Sequence, residues 1–159
     1  MKIELKNVKV IESMSEETNC YTASLYVDGK KIGIVSNRGH GGCDEFNGDW
    51  TAFEAAQNWL KSNHEEVQLS EDMSVPMDME LFCGEWVENW RVTKSLKKDL
   101  KSKVLFTEKG KPGLYQLSWK GVRTLTDRHI DHAKAKHPNA TILNTLPLEK
   151  ALEIYKKAA

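Results

Sequence analysis

The sequence is short of cysteine, of proline and of long apolar runs, and it carries no net charge. Its three cysteines, Cys20, Cys43 and Cys83, are scattered and odd in number. The disulfide framework of a small secreted domain is even and denser, so three free thiols in a reducing, cytoplasmic setting are expected. No stretch approaches the roughly 20 apolar residues needed to cross a bilayer, so no membrane partner is expected. The first residues, Met1 to Leu5, alternate polar and apolar side chains and do not read as an export signal. The 23 Lys and Arg cancel the 23 Asp and Glu. That balance disfavours broad nucleic-acid binding, which needs an excess of cations. The chain lacks the GxxxxGK[ST] of a phosphate loop and the GxGxxG of a dinucleotide fingerprint. It also lacks internal repeats and low-complexity tracts.

What is present is ordinary for a folded domain. The 159 residues are 40% hydrophobic and 29% charged, enough for one core. A single domain is expected over residues 1–159, with a soft lobe boundary at the acidic stretch 63–77. The charges are unevenly spread. Residues 1–79 hold 7 Lys and Arg against 14 Asp and Glu, and residues 80–159 hold 16 against 9. Either the halves neutralise each other in one fold, or a basic surface meets an anionic partner.

Hydrophobic alternation predicts a strand over residues 2–11, with a change of phase at Asn7. Asp28-Gly29 between two alternating runs predicts a two-residue hairpin. Pairing Val27 with Lys30 sets Leu25 opposite Ile32 and Ala23 opposite Ile34. Residues 37–49 read as a glycine-rich loop. A helix follows from Trp50 to Lys61, with Asp49 as its N-cap. Residues 78–102 read as one helix or as two broken near Gly84. Phe82, Trp86, Trp90, Thr93, Leu96 and Leu100 form its apolar stripe. Strands over 104–108 and 114–119, a helix over 122–136, a strand over 140–143 and a helix over 147–157 capped by Thr145 complete the chain. The order β-β-β-α-α-β-β-α-β-α clusters its strands, which predicts an α+β fold with a mainly antiparallel sheet.

One segment invites a functional reading. Four of the ten glycines fall within residues 37–49, between a strand and a helix. Glycines let successive N–H groups converge on an anion, and a helix N-terminus adds donors. Arg38 and His40, with the backbone of Gly39, Gly41 and Gly42, are the candidate phosphate contacts. Asp44, Glu45 and Asp49 repel a bare phosphate and fit better with ribose hydroxyls, base donors or a metal ion; Asp44 or Asn47 would contact such polar groups, and Asn37 completes the candidate ligand-binding set. The alternative is a wide loop whose glycines only satisfy tight turns. His40 and Cys43 are spaced to share a metal, but no second ligand pair is visible and no metal or cofactor is expected. As a nucleophile, Cys43 lacks a third orienting group, and burial is its expected fate. The run Asp127, His129, Asp131 and His132 reads first as a solvated helix face.

Residues 16–23, 25–31 and 37–43 together resemble small uncharacterised proteins encoded by phages and bacterial mobile elements. The resemblance covers roughly the first 50 residues. That family carries no assigned chemistry, so the resemblance implies context only: an accessory or anti-defence role. The combined expectation is a non-enzymatic binding protein that captures a phosphorylated, nucleotide-like molecule through residues 37–49. The alternatives are a module that docks on a host protein through its charged surfaces, and a small hydrolase or nuclease.

Overall fold

Asp28 and Gly29 take positive φ, 46° and 81°, in the computed structural model, which describes residues 1–158. Positive φ at both central residues is what a type I′ turn requires. The turn closes β2 (Tyr21–Val27) on β3 (Lys30–Asn37), and Val27 pairs with Lys30 as the sequence predicts. Beyond Tyr26 the register departs from the prediction. Leu25 pairs with Gly33, Ser24 with Ile34 and Ala23 with Val35. The extra residue on β3 is a bulge, and it exchanges the faces of everything after it. Ile34 therefore points out at 43% exposure while Val35 is buried. A Cβ at Gly33 would lie 2.5 Å from the Phe46 ring. Only glycine lets that ring lie against the bulged strand.

A second bulge follows Lys6 in β1 (Ile3–Val10), where Asn7 has a φ of 53°. This is the expected change of phase. The glycine-rich segment is not all loop. Its last residues form β4 (Glu45–Gly48), which pairs with β3 and completes the antiparallel order β1-β2-β3-β4. Asp49 then caps α1 (Trp50–Asn63), its carboxylate accepting from the Ala52 amide at 3.0 Å. The acidic connection is also ordered: β5 (Val67–Ser70) and β6 (Met73–Val75) form a small antiparallel hairpin. The three strands escaped sequence reading because they are short and mostly exposed, so no apolar alternation marks them.

Helix α2 (Met79–Ser102) runs unbroken through Gly84. Asp78 receives the Leu81 amide at 2.9 Å at its start. The fully buried row of its first half is Met79, Cys83 and Val87, at the i, i+4, i+8 spacing of one helix face. Phe82, Trp86 and Trp90, expected to form the stripe, flank it half-buried.

The chain divides into two compact units, Met1–Trp90 and Arg91–Ala159. Residues 63–77 lie inside the first. Its core joins Leu5, Ala23, Leu25 and Val35 of the sheet to Ala56 and Leu60 of α1 and to Cys83 and Val87 of α2.

In the second unit, β7 (Val104–Glu108) lies between β8 (Lys111–Leu117) and β9 (Ala140–Ile142), both antiparallel to it. The link between β7 and β8 is thus a two-residue turn, shorter than the sequence suggests. β7 is buried on both faces. Val104 and Phe106 pack with Ala133 of α3 (Asp127–Lys136), and Leu105 packs with Leu96 of α2 and Ala151 of α4 (Leu148–Ala158). α3 starts later than its sequence suggests, at a capping box of Thr126 and His129. Thr145 does not cap α4; its hydroxyl donates to the Ile142 carbonyl.

Asn144 ties the second unit together. Its Nδ2 donates to the carbonyls of Leu100 at 3.0 Å and Lys103 at 2.9 Å, and its Oδ1 accepts from the Leu105 amide at 2.9 Å. It thereby satisfies backbone groups left open where α2 ends and β7 begins. Asn144→Ala is expected to lower unfolding free energy by about 2–3 kcal/mol, the cost of orphaning partly buried backbone groups. Urea titration followed by far-ultraviolet circular dichroism reads this loss.

Candidate functional site

The site is built around Asn37, the last residue of β3. Its side chain is buried and fully engaged. Oδ1 accepts from the Gly39 amide and the Thr18 hydroxyl, both at 2.8 Å, while Nδ2 donates to the Gly42 carbonyl at 2.8 Å and to Asp44 Oδ1 at 3.0 Å. Opposite, the Gly39 carbonyl accepts from the amides of Glu16, Glu17 and Thr18. Gly39 has a φ of 88°, and a Cβ on it would lie 2.1 Å from the Met14 carbonyl oxygen. The glycine-rich turn is therefore sewn onto residues 14–18 by backbone bonds.

The sequence candidates fare differently. Asn37, Gly39, Gly42 and Asp44 are brought together. Arg38 is exposed and pairs with Glu45 at 3.1 Å, and exposed His40 lies 3.1 Å from Glu16. The Gly41 amide reaches the Thr18 hydroxyl at 3.3 Å. Asn47 sits on β4 opposite Ile34 and is exposed. The amides of Gly39 and Gly41 thus already have side-chain acceptors, and each candidate cation sits beside a glutamate. Cys43, expected to be buried, is exposed, because it lies at the tip of this turn.

Asp44 leads into a small hollow. Its Oδ2 accepts from the Tyr21 hydroxyl in a short hydrogen bond. Burial raises the Asp44 carboxyl above the ordinary value, the bonds from Tyr21 and Asn37 pull it back, and the charge of Asp78 adds to the rise. Burial also holds the Tyr21 hydroxyl well above its usual range. The Cys83 thiol is pushed up to about 12, by burial first and by the charge of Asp44 next. A thiol so placed stays protonated at neutral pH and is no nucleophile.

The hollow has a volume of about 180 Å³. Asp44, Asp78 and Glu80 supply carboxylates, Gln57 an amide, and Val35, Met79 and Cys83 apolar surface. Its aromatic wall crosses the β4–α1 junction. Phe46 stacks on Phe53 with centroids 4.4 Å apart, and Trp50 meets both rings edge-on. Trp50 is 56% exposed, an unusual position for the largest apolar side chain. Sequence reading missed Tyr21, Phe46, Trp50, Phe53, Gln57, Asp78, Glu80 and Cys83 as site residues. The spacing of Phe46, Trp50 and Phe53 about the Asp49 cap is the one signal that could have found this wall. Beyond Asp78 and Glu80 a wider groove of about 640 Å³ runs along Val67, Val75, Leu81 and Glu85.

The histidine-rich α3 is used structurally. His129 Nδ1 accepts from the Thr126 amide at 3.0 Å, and Trp119 lies against both His129 and His132. Among the described residues no group of three or more His, Cys, Asp and Glu is placed to hold a metal ion.

No protein-family model, curated protein or solved structure matches the chain.

Two glycine substitutions separate the conformational demands of the turn. Gly39→Ala is expected to cost about 2 kcal/mol or more, from left-handed strain and the clash with Met14. Gly42, which has open space around it, is expected to accept alanine within about 0.5 kcal/mol. Denaturant titration of both variants makes the comparison. Asp44 adds a pH signature. A carboxyl with a raised folded value binds its proton more tightly when folded, so its ionisation costs stability as pH rises through that value. The cost disappears below the unfolded value. Asp44→Asn cannot ionise, so its stability relative to the native chain is expected to climb as pH rises above the ordinary carboxylate range and to level off above the raised folded value. A flat difference over that rise in pH, read by urea unfolding, contradicts the assignment.

Proposed function

We propose that the chain is a non-enzymatic binding protein whose first unit holds a nucleotide-like ligand by its base. The observation that carries this reading is the hollow itself, with an exposed tryptophan on one wall and three carboxylates beside it. A planar heterocycle stacks on aromatic faces, and its ring N–H and amino groups donate to carboxylates. About 180 Å³ suits a single base rather than a whole nucleotide. The hollow lacks any cation, so a phosphate belongs outside it. Arg38 and His40 remain the candidates for that phosphate. Their present partners are exposed carboxylates, and such surface pairs contribute only about 0–1 kcal/mol, so an anion can displace them. The buried, protonated Cys83 and the tied Tyr21 favour holding over chemistry. The resemblance to proteins of mobile elements makes sequestering a nucleotide signal of a host the physiological form of this proposal.

A thermal-shift screen of bases, nucleosides, mononucleotides and cyclic nucleotides tests it. A ligand at about 100 times its dissociation constant adds roughly 2.7 kcal/mol to stability. Nucleosides are expected to stabilise the protein, Trp50→Ala to abolish the shift, and Arg38→Ala with His40→Ala to weaken nucleotides but not nucleosides. A flat screen sinks the reading and leaves docking on a host protein through charged surfaces as the better one.

A further inference from the structure

The boundary between the structural units divides the charge more sharply than the midpoint of the sequence does. Met1–Trp90 holds 7 Lys and Arg against 17 Asp and Glu, a net of −10, and Arg91–Ala159 holds 16 against 6, a net of +10. The second unit is a strongly basic body, and it has a hollow of its own. This hollow, of about 300 Å³, is lined by Glu108, Lys109, Lys111, Lys136, His137 and Asn139, with Pro138 and Ala140. It lies where the β7–β8 turn meets the end of α3.

We propose that this hollow is a phosphate site, taking the terminal phosphate of an organic phosphate. The charge count favours a dianion. Three ammonium groups face one carboxylate, and the carbonyl end of α3 subtracts about half a charge, which leaves about +1.5. The single carboxylate is already engaged. Glu108 Oε1 lies 2.7 Å from His137 Nδ1, and its Oε2 takes the Lys111 ammonium. Those bonds hold the Glu108 carboxyl below its usual range, Lys111 contributing most. They also fix the imidazole, which packs on Phe106 with centroids 4.4 Å apart. With Nδ1 turned to Glu108, Nε2 is the polar edge that His137 has left for a ligand. Lys109 and Lys136 bring charge, and the Asn139 amide brings neutral donors. The common explanation for such lysines is a complement to a helix end. That accounts for Lys136 and His137 at the end of α3, but not for Lys109 in the facing turn and Lys111 at the start of β8.

Isothermal titration of the full chain at one fixed ionic strength tests the proposal. The probes are inorganic phosphate, a 5′-mononucleotide, and one oligonucleotide with and without a 5′-phosphate. The Trp50→Ala background removes the base site proposed for the first unit, so the two readings fail separately. Saturable binding of inorganic phosphate or the mononucleotide assigns the site to small phosphates. Binding of the oligonucleotide only when 5′-phosphorylated assigns it to strand ends. In either case Lys109→Ala with Lys136→Ala is expected to weaken binding by roughly tenfold or more, and the two arginine replacements to preserve it. Circular dichroism checks that these surface variants stay folded. No binding by any probe, equal binding of both oligonucleotides with none of inorganic phosphate or the mononucleotide, or an unchanged affinity in the alanine pair overturns the proposal.

Discussion

The first unit depends on satisfying the backbone where β3 stops being a strand. At that point four chain segments converge: the end of β3, the turn after it, residues 14–18 and the approach to β4. None offers the others a regular ladder. The Asn37 amide makes four hydrogen bonds there, two to the backbone of Gly39 and Gly42 and two to the side chains of Thr18 and Asp44. Buried backbone groups that lack partners cost about as much as the bonds they forgo. Asn144 solves the same problem in the second unit, where α2 hands over to β7. In both units an asparagine serves because its side chain carries an acceptor and two donors on one short stem. Asn37 also holds Asp44 in place, so the geometry of the hollow follows from it.

The parts of this fold that were legible in the sequence are those set by local chemistry. Asp28-Gly29 specified a turn because both residues tolerate positive φ. Asp49 specified a helix start because its carboxylate reaches the amide three residues on. The helices and the antiparallel pairing followed from periodicity. What was not legible depends on contacts distant in sequence. The register of β3 changes between Lys31 and Gly33, where the ring of Phe46, on a strand hidden in the glycine-rich segment, lies against the strand. Pairing rules applied to β2 and β3 alone set Ile34 opposite Ala23, where the structure has Val35. The buried row of α2 is similar. Tryptophan and phenylalanine dominate any hydrophobic pattern, yet the smaller Met79, Cys83 and Val87 form the row that is buried, and the large rings lie at its margins.

Charge gives a sharper case of the same lesson. Divided at its midpoint, the sequence shows an imbalance of seven charges. Divided at Trp90, it shows ten. The unit boundary falls within a continuous helix, where no glycine, proline or polar linker marks it, so composition alone had no reason to cut there. The two hollows then differ as their units do. Carboxylates beside aromatic rings suit a donor-rich base, and ammonium groups around an engaged glutamate suit a phosphate. One net-neutral chain thus carries two oppositely charged units, which its overall charge conceals.

The glycine-rich turn shows why composition misleads about function. Converging amides and clustered glycines are the marks of an anion nest, and residues 37–43 have the glycines. Yet a nest must leave its amides open. Here the amides of Gly39 and Gly41 go to Asn37 and Thr18; positive φ favours glycine at both positions, and the Met14 backbone leaves no room for a side chain at 39. For Gly41 the sequence cannot distinguish an amide awaiting a ligand from one already bonded, because its acceptor, Thr18, lies 23 residues away. What the turn does for the site is indirect: it holds the carboxylate of Asp44 partly out of water, next to a tryptophan that the core does not cover. Keeping an ionisable group there costs stability at neutral pH, and Trp50 leaves apolar surface exposed. Both are disadvantages for a protein that only has to fold, and both become advantages once a planar, donor-bearing ligand occupies the space between them.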